Sequence, residues 1–185
     1  CIDNSGAGNL DAGALVSEGQ LLDLAPLMAA PSLDTPGKTV AETLFPGSQD
    51  SEFYDGVQYG LNVAYTVVGI WYSGSLFAEK GWTYPTTWPE MMDLSETIKS
   101  SGIAPWIYQG KYPGYMEWGL LWGLVYKKAG VQPMIDIDNL VDGAWHNEAV
   151  VASVKEMYQL VENDYIMAGT EGLNHTESQA EWLKG

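Results

Sequence analysis

The chain is 185 residues long, 46% hydrophobic and strongly acidic, with 8 basic against 24 acidic residues and a net charge of −16. That balance excludes a nucleic-acid partner, because phosphate binding needs Lys and Arg to displace counterions, and it disfavours a polybasic membrane-surface mode. No apolar run approaches the ~20 residues of a membrane span, and the single cysteine, Cys1, forbids an internal disulfide.

Residues 4–13 are rich in Gly and small residues and read as a loop. The Leu15–Leu27 stretch reads as a short helix followed by an extended segment that stops at Pro26. Residues 29–51 carry Pro31, Pro36 and Pro46 and read as surface loop around one short helix near 38–45. Phe53–Phe77 reads as the β region. There Asp55-Gly56 predicts a tight turn between two strands, and the segment from Leu61 to Tyr72 reads as one long bent strand or two with a break near Thr66.

Helices dominate the remainder. Thr87-Trp88-Pro89-Glu90 is a capping box with Pro in the first turn, and its helix should run to about Ser101 and stop at Gly102 with Met91, Leu94 and Ile98 on one face. A second helix is predicted over Tyr115–Ala129. The acids of 136–142 read as an exposed loop. A third helix runs from Asn147 to Asn163 with the stripe Val150, Val154, Met157, Val161, and Thr176-Glu177-Ser178-Gln179 reads as the cap of a last one. Few strands among many helices, without βαβ alternation, predict a piece of a larger fold cut at both ends.

Eight Trp and eleven Tyr against three Phe is a skew toward rings that couple an apolar face to a polar edge. A saccharide, with an apolar C–H face and a hydroxyl rim, suits such rings; so does a core in which each polar tip is satisfied. Chemistry that would point elsewhere is missing from the sequence. His146 and His175 stand in no metal-ligand spacing and read as lone surface histidines. There is no phosphate-binding glycine loop and no nucleophile elbow. A glycosidase needs two carboxylates about the scissile bond. Glu117, beside Tyr115 and Trp118, is the best single candidate and has no equally placed partner.

Residues 59–108 carry a more specific pattern. Tyr59-Gly60-Leu61-Asn62 leads to Gly69-Ile70-Trp71-Tyr72-Ser73-Gly74-Ser75-Leu76-Phe77, then Lys80-Gly81-Trp82, Pro85-Thr86-Thr87-Trp88-Pro89-Glu90, and Gly102 before Pro105-Trp106. This resembles the extracellular solute-binding proteins of carbohydrate ABC importers. Gly19-Gln20-Leu21-Leu22-Asp23-Leu24 and Glu181-Trp182-Leu183-Lys184-Gly185 resemble further segments of the same family. Asn4-Ser5-Gly6 with Lys111-Tyr112-Pro113-Gly114-Tyr115-Met116 resembles the branch that binds N-acetylglucosamine and chitobiose.

The resemblance implies a helix-rich α/β fold of periplasmic-binding-protein type II, with two lobes closing on a sugar between them. Residues 1–62 would belong to the first lobe, 63–72 to a crossing strand, and 73–185 to a helical second lobe. It implies polar contacts from Asn4 and Ser5, cleft-facing Tyr65 and Thr66, and a ligand surface from Tyr112, Tyr115, Glu117 and Trp118. It also implies a monomer without cofactor or metal that does not catalyse and that delivers a mono- or oligosaccharide to permease subunits. The location would be extracytoplasmic, in the periplasm or at the cell surface, with lipid anchoring of the full-length protein. Cys1 itself does not read as the lipidated residue, since Ile2-Asp3 looks like the end of a buried strand. The competing readings are a glycoside hydrolase using Glu117 and a second acid, and an independent helical domain. Tight sugar binding by these 185 residues alone is not expected.

Overall fold

A computed structural model describes residues 12–64 and 67–184. The chain divides into two compact units, Cys1–Val67 and Val68–Gly185.

In the first unit, α1 (Ala12–Ser17) ends in a turn at Gly19 and precedes an irregular run to Leu24. Pro26 does not stop that run; it lies in the first turn of a short helix α2 (Ala25–Met28), where a missing N–H costs nothing. The helix expected near 38–45 contracts to a single 3₁₀ turn, Ala41–Thr43, and Glu42 closes it by accepting from the N–H and hydroxyl of Thr39. Strands β1 (Phe53–Tyr54) and β2 (Val57–Gln58) pair antiparallel, Tyr54 opposite Val57. The turn between them has positive φ at both Asp55 and Gly56, the twist that a two-residue hairpin requires.

Beyond this hairpin, where a long strand is expected, the described residues of 61–72 join no ladder. At Asn62 a side chain takes the place of a neighbouring strand. The Gln49 amide donates to the Asn62 carbonyl (3.1 Å) and accepts from its N–H (2.9 Å). β-propensity describes fit to a pleated surface, and no such surface is supplied there by the described residues.

The second unit is helical. A helix unforeseen in the sequence, α3 (Gly74–Lys80), occupies the end of the expected β region. The Ser73 hydroxyl accepts from the Leu76 N–H to start it, and Gly81, at φ 69°, ends it. Helix α4 (Trp88–Ser100) has both halves of its capping box in place and buries Ser95 and Ile98. The next helix is one rod in three parts: α5 (Gly114–Met116), a π-turn (Glu117–Leu121) and α6 (Trp122–Ala129). The acids of 136–142 are only partly in a loop, because α7 (Gln132–Asp138), with Pro133 in its first turn, takes in Asp136 and Asp138 and buries Ile137. Helix α8 (Glu148–Glu162) starts at the Asn147 cap as expected, but its buried side is rotated. Val150, Ser153 and Leu160 are buried, whereas Val154 and Val161 are exposed. In α9 (His175–Trp182) the cap is Asn174, not Thr176. Of two overlapping boxes, the one whose third residue is Glu177 wins, since a carboxylate suits a helix N-terminus better than the neutral Gln179.

Two apolar clusters meet through Met157. Leu121, Val125, Ile137 and Val150 form one; Leu120, Leu160 and Tyr165 form the other with Trp88, Met92, Trp106 and Met116 around them. The tip of Tyr165 is satisfied by donating to Glu96 (3.1 Å), and burial first, then Glu96, raises its phenol above its ordinary value. No helix among the described residues is long and apolar enough to cross a membrane.

Candidate functional site

The site begins with an irregular segment, 106–111, laid along 165–173. Trp106 and Ile166 form a parallel bridge; Trp106 N–H donates to the Tyr165 carbonyl (3.0 Å) and Met167 N–H to the Trp106 carbonyl (2.8 Å). Thr170, buried, donates its hydroxyl to the Tyr108 carbonyl (2.6 Å) and accepts from the Tyr108 N–H (3.2 Å). Gly110 N–H reaches the Thr170 carbonyl and Lys111 N–H the Leu173 carbonyl, each at 3.1 Å.

This stitching requires glycine at 110. A Cβ there would lie 2.6 Å from the Thr170 carbonyl oxygen and 2.7 Å from the Glu171 carbonyl carbon, closer than real contacts allow. The chain then turns through Tyr112, whose N–H donates to the Gln109 carbonyl (2.8 Å), and enters α5. Across the stitch, Lys111 pairs with Glu177 at 3.6 Å. The Asn174 N–H, and then Lys111, hold the Glu177 carboxyl below its ordinary value.

The consequence is a group of rings drawn from distant sequence. Tyr115 lies 5.5 Å, centroid to centroid, from Trp118 and 5.5 Å from His175. The Trp118 ring lies back over Gly114, where a Cβ would stand 3.4 Å from it, and remains 53% exposed. Glu117 accepts a hydrogen bond from the Trp122 indole (3.0 Å), and Trp122 in turn lies 5.9 Å from the exposed Trp145. Tyr115 and Trp122 are half-buried, whereas Trp118 and Trp145 expose indole faces with polar edges, the form that stacks on a sugar ring.

Of the residues singled out in the sequence, Tyr115, Glu117 and Trp118 therefore share one helix start, with Tyr115 and Trp118 in ring contact. Tyr112 is exposed at its threshold, with no ring against it among the described residues. Asn4, Ser5, Tyr65 and Thr66 lie outside the described residues. His175 was missed: it is exposed, but not alone. Its Nδ1 lies 3.3 Å from the Gln109 amide nitrogen and its Nε2 3.0 Å from that of Gln179. No spacing rule joins 109, 115 and 175; only the stitch at Gly110 does. Trp122 and Trp145 were also missed. Among the described residues no group of three His, Cys, Asp or Glu is placed to hold a metal ion.

The first unit has its own feature, an open hollow of about 580 Å³ lined by Met28, Phe45 and Phe53 with Lys38, Glu42 and Asp50. Gln49 and Gln58 also line it, but no stacked rings do among the described residues.

Comparison with known proteins places the chain in a family. The chain is 33% identical over 181 residues, 98% of its length, to the diacetylchitobiose binding protein NgcE of Streptomyces coelicolor, of which it covers 38%. In structure it resembles a chitin oligosaccharide binding protein, with TM-score 0.74 at 25% identity over 95% of this chain and 42% of that one. It shares its fold, at TM-score 0.66 and 24% identity over 92% of this chain and 41% of the other, with a protein from work on xylan utilization by the thermophile Caldanaerobius polysaccharolyticus. The chain thus spans about two fifths of the length of each relative. The pattern of the bacterial extracellular solute-binding proteins matches residues 4–183, and the chain belongs to that family.

Proposed function

We propose that this chain supplies sugar-contacting residues of an extracytoplasmic receptor that captures chitobiose-class oligosaccharides and delivers them, uncleaved, to the permease of an ABC importer. The observation that carries the reading is the ring group Trp118–Tyr115–His175 at a helix start. Its faces would take the C–H faces of pyranose rings, and Glu117, held by Trp122, would accept from a hydroxyl. The names of two relatives, one binding diacetylchitobiose and one chitin oligosaccharide, support the sugar class. The family supports the transport role and the absence of catalysis. Asn4, Ser5, Tyr65 and Thr66 belong to the proposal as polar contacts on the family resemblance alone, as does 63–72 as the crossing between lobes.

The test is nitrogen–proton NMR of the chain, following its indole signals during addition of diacetylchitobiose. This detects dissociation constants of about 1 mM, equivalent to about −4 kcal/mol. The Trp118 indole signal should shift with saturation, Trp118→Ala should weaken binding about tenfold or more, and chromatography should recover the disaccharide intact. Unmoved indole signals at saturating sugar, or released monosaccharide, would refute the reading.

A further inference from the structure

His175 is exposed and caps nothing, yet both of its ring nitrogens are held by glutamine amides. A neutral imidazole offers one donor and one acceptor. Both contacts are made to amide nitrogens, and since a neutral ring accepts at only one of its nitrogens, one of the two amides satisfies it fully only with its oxygen and nitrogen exchanged. Fixing an exposed ring from both edges costs rotamer freedom in two long side chains and satisfies no buried group. What it does achieve is orientation: the imidazole is held against Tyr115, and the half-buried Gln109 is held beside the imidazole.

Gln109 has capacity left over. A primary amide carries two N–H donors and a carbonyl with two lone pairs, and the contact with His175 uses one of these. An acetamido group presents its N–H and C=O on opposite edges of a rigid trans plane, so Gln109 would meet one of them, its free N–H donating to the acetyl carbonyl or its own carbonyl accepting from the acetamido N–H. Its methyl group is apolar and suits the neighbouring ring faces of Tyr115 and His175. A sugar hydroxyl at the same carbon has neither the second polar atom nor the methyl. Gln109 also cannot swing away freely. The backbone on its C-terminal side is pinned by Gly110 and Lys111 against 170–173, and the one on its N-terminal side by Tyr108 against Thr170.

We infer that Gln109, anchored by His175, reads the N-acetyl group of the bound sugar, and that this pair sets the preference for acetylated over unacetylated saccharides. The inference rests on the receptor reading above and adds to it the residues that discriminate within the sugar class.

The experiment compares dissociation constants of diacetylchitobiose and cellobiose, which differ by an acetamido group in place of a hydroxyl on each ring. The wild-type chain should favour diacetylchitobiose by about tenfold or more, and Gln109→Leu should erase most of that ratio. Circular dichroism would confirm that the variant is folded. His175→Phe, which keeps a ring against Tyr115 but removes the anchor, is the second variant and should also lower the ratio. A folded Gln109→Leu that keeps the wild-type ratio overturns this inference and leaves the receptor reading standing. Equal wild-type affinities for the two sugars do the same. Failure of the wild type to bind either sugar overturns the receptor reading and this inference with it.

Discussion

Replacing Gly110 with Ala probes the contact on which the whole site depends. Gly110 does not have a positive φ, so alanine meets no backbone strain there, and the effect is steric alone. The new methyl would lie 2.6 Å from the Thr170 carbonyl oxygen and 2.7 Å from the Glu171 carbonyl carbon. Both obstacles are backbone, so no side chain can rotate aside. The two segments must part, by roughly 1 Å to restore ordinary contact, at an overpacking cost of about 1–3 kcal/mol. Parting weakens the bonds from the Gly110 and Lys111 N–H groups, each at 3.1 Å, at about 1 kcal/mol apiece. A loss of about 3 kcal/mol is expected. Urea unfolding followed by tryptophan fluorescence measures it in the right place, because all eight tryptophans follow Val68 and report on the second unit. Gly172→Ala is the control, since a Cβ there meets nothing within 4 Å. Equal unfolding midpoints for the two variants would refute the claim that close backbone approach at Gly110 holds 106–111 to 165–173.

The other expectations are narrower. Leu160→Ala should cost about 2–5 kcal/mol because Leu160 is fully buried, while Val161→Ala should stay within about 0.5 kcal/mol; the reverse order would restore the stripe expected from sequence. Thr87→Ala removes the hydroxyl that accepts from the Glu90 N–H and should destabilise by about 1 kcal/mol, read from the urea midpoint. Thr86 and Thr87 N–H groups lower the Glu90 carboxyl, so its contribution is present above the ordinary value of 4.5 and is lost as pH falls through the lowered one, which Glu90→Gln should flatten. Tyr165 behaves oppositely at the alkaline end. Its raised phenol favours the fold below its ordinary value of 10.0, and that contribution is lost as pH rises beyond it. Tyr165→Phe should therefore reduce the fall in unfolding free energy between about pH 9 and about pH 11.

What could be read in the sequence was local. Thr87 and Glu90 are three residues apart, and their mutual capping needs nothing from the rest of the molecule. Asp55-Gly56 likewise fixes its own turn. Errors arose where a local signal had to be resolved by distant packing. On α8 the apolar residues Val150, Val151, Val154, Met157, Leu160 and Val161 allow two overlapping stripes. The pattern cannot say that Leu160 meets Leu120 and Tyr165, leaving Val161 outside. In 61–72 the β-branched and aromatic residues promised a strand, but pairing depends on a neighbour, and at Asn62 that neighbour is the Gln49 side chain. The family could be recognised because its pattern in 59–108 consists of turns, caps and aromatic residues in sequence order. The clamp on His175 could not, because its two glutamines lie 66 residues before it and 4 after it.

The π-turn explains why one half of the site was hidden in plain spacing. In a regular α-helix, residues five apart point roughly 140° away from each other. Glu117 and Trp122 would then face different sides, and no reading by helical period would pair them. Widening the turn by one residue stacks them instead. Trp122 N–H donates to the Glu117 carbonyl, and the Trp122 indole donates to the Glu117 carboxylate (3.0 Å), so the same two residues are joined through backbone and side chain. The widening also serves the core, sending Leu120 into one cluster and Leu121 into the other while Met116 stays with the first of them. A straight helix could satisfy that packing only by turning Tyr115 and Trp118 to a new direction. The π-turn lets the buried residues follow the core and the rings before them keep their contact with each other and with His175. That is a reason for a rare π-turn to persist at this one place in the rod.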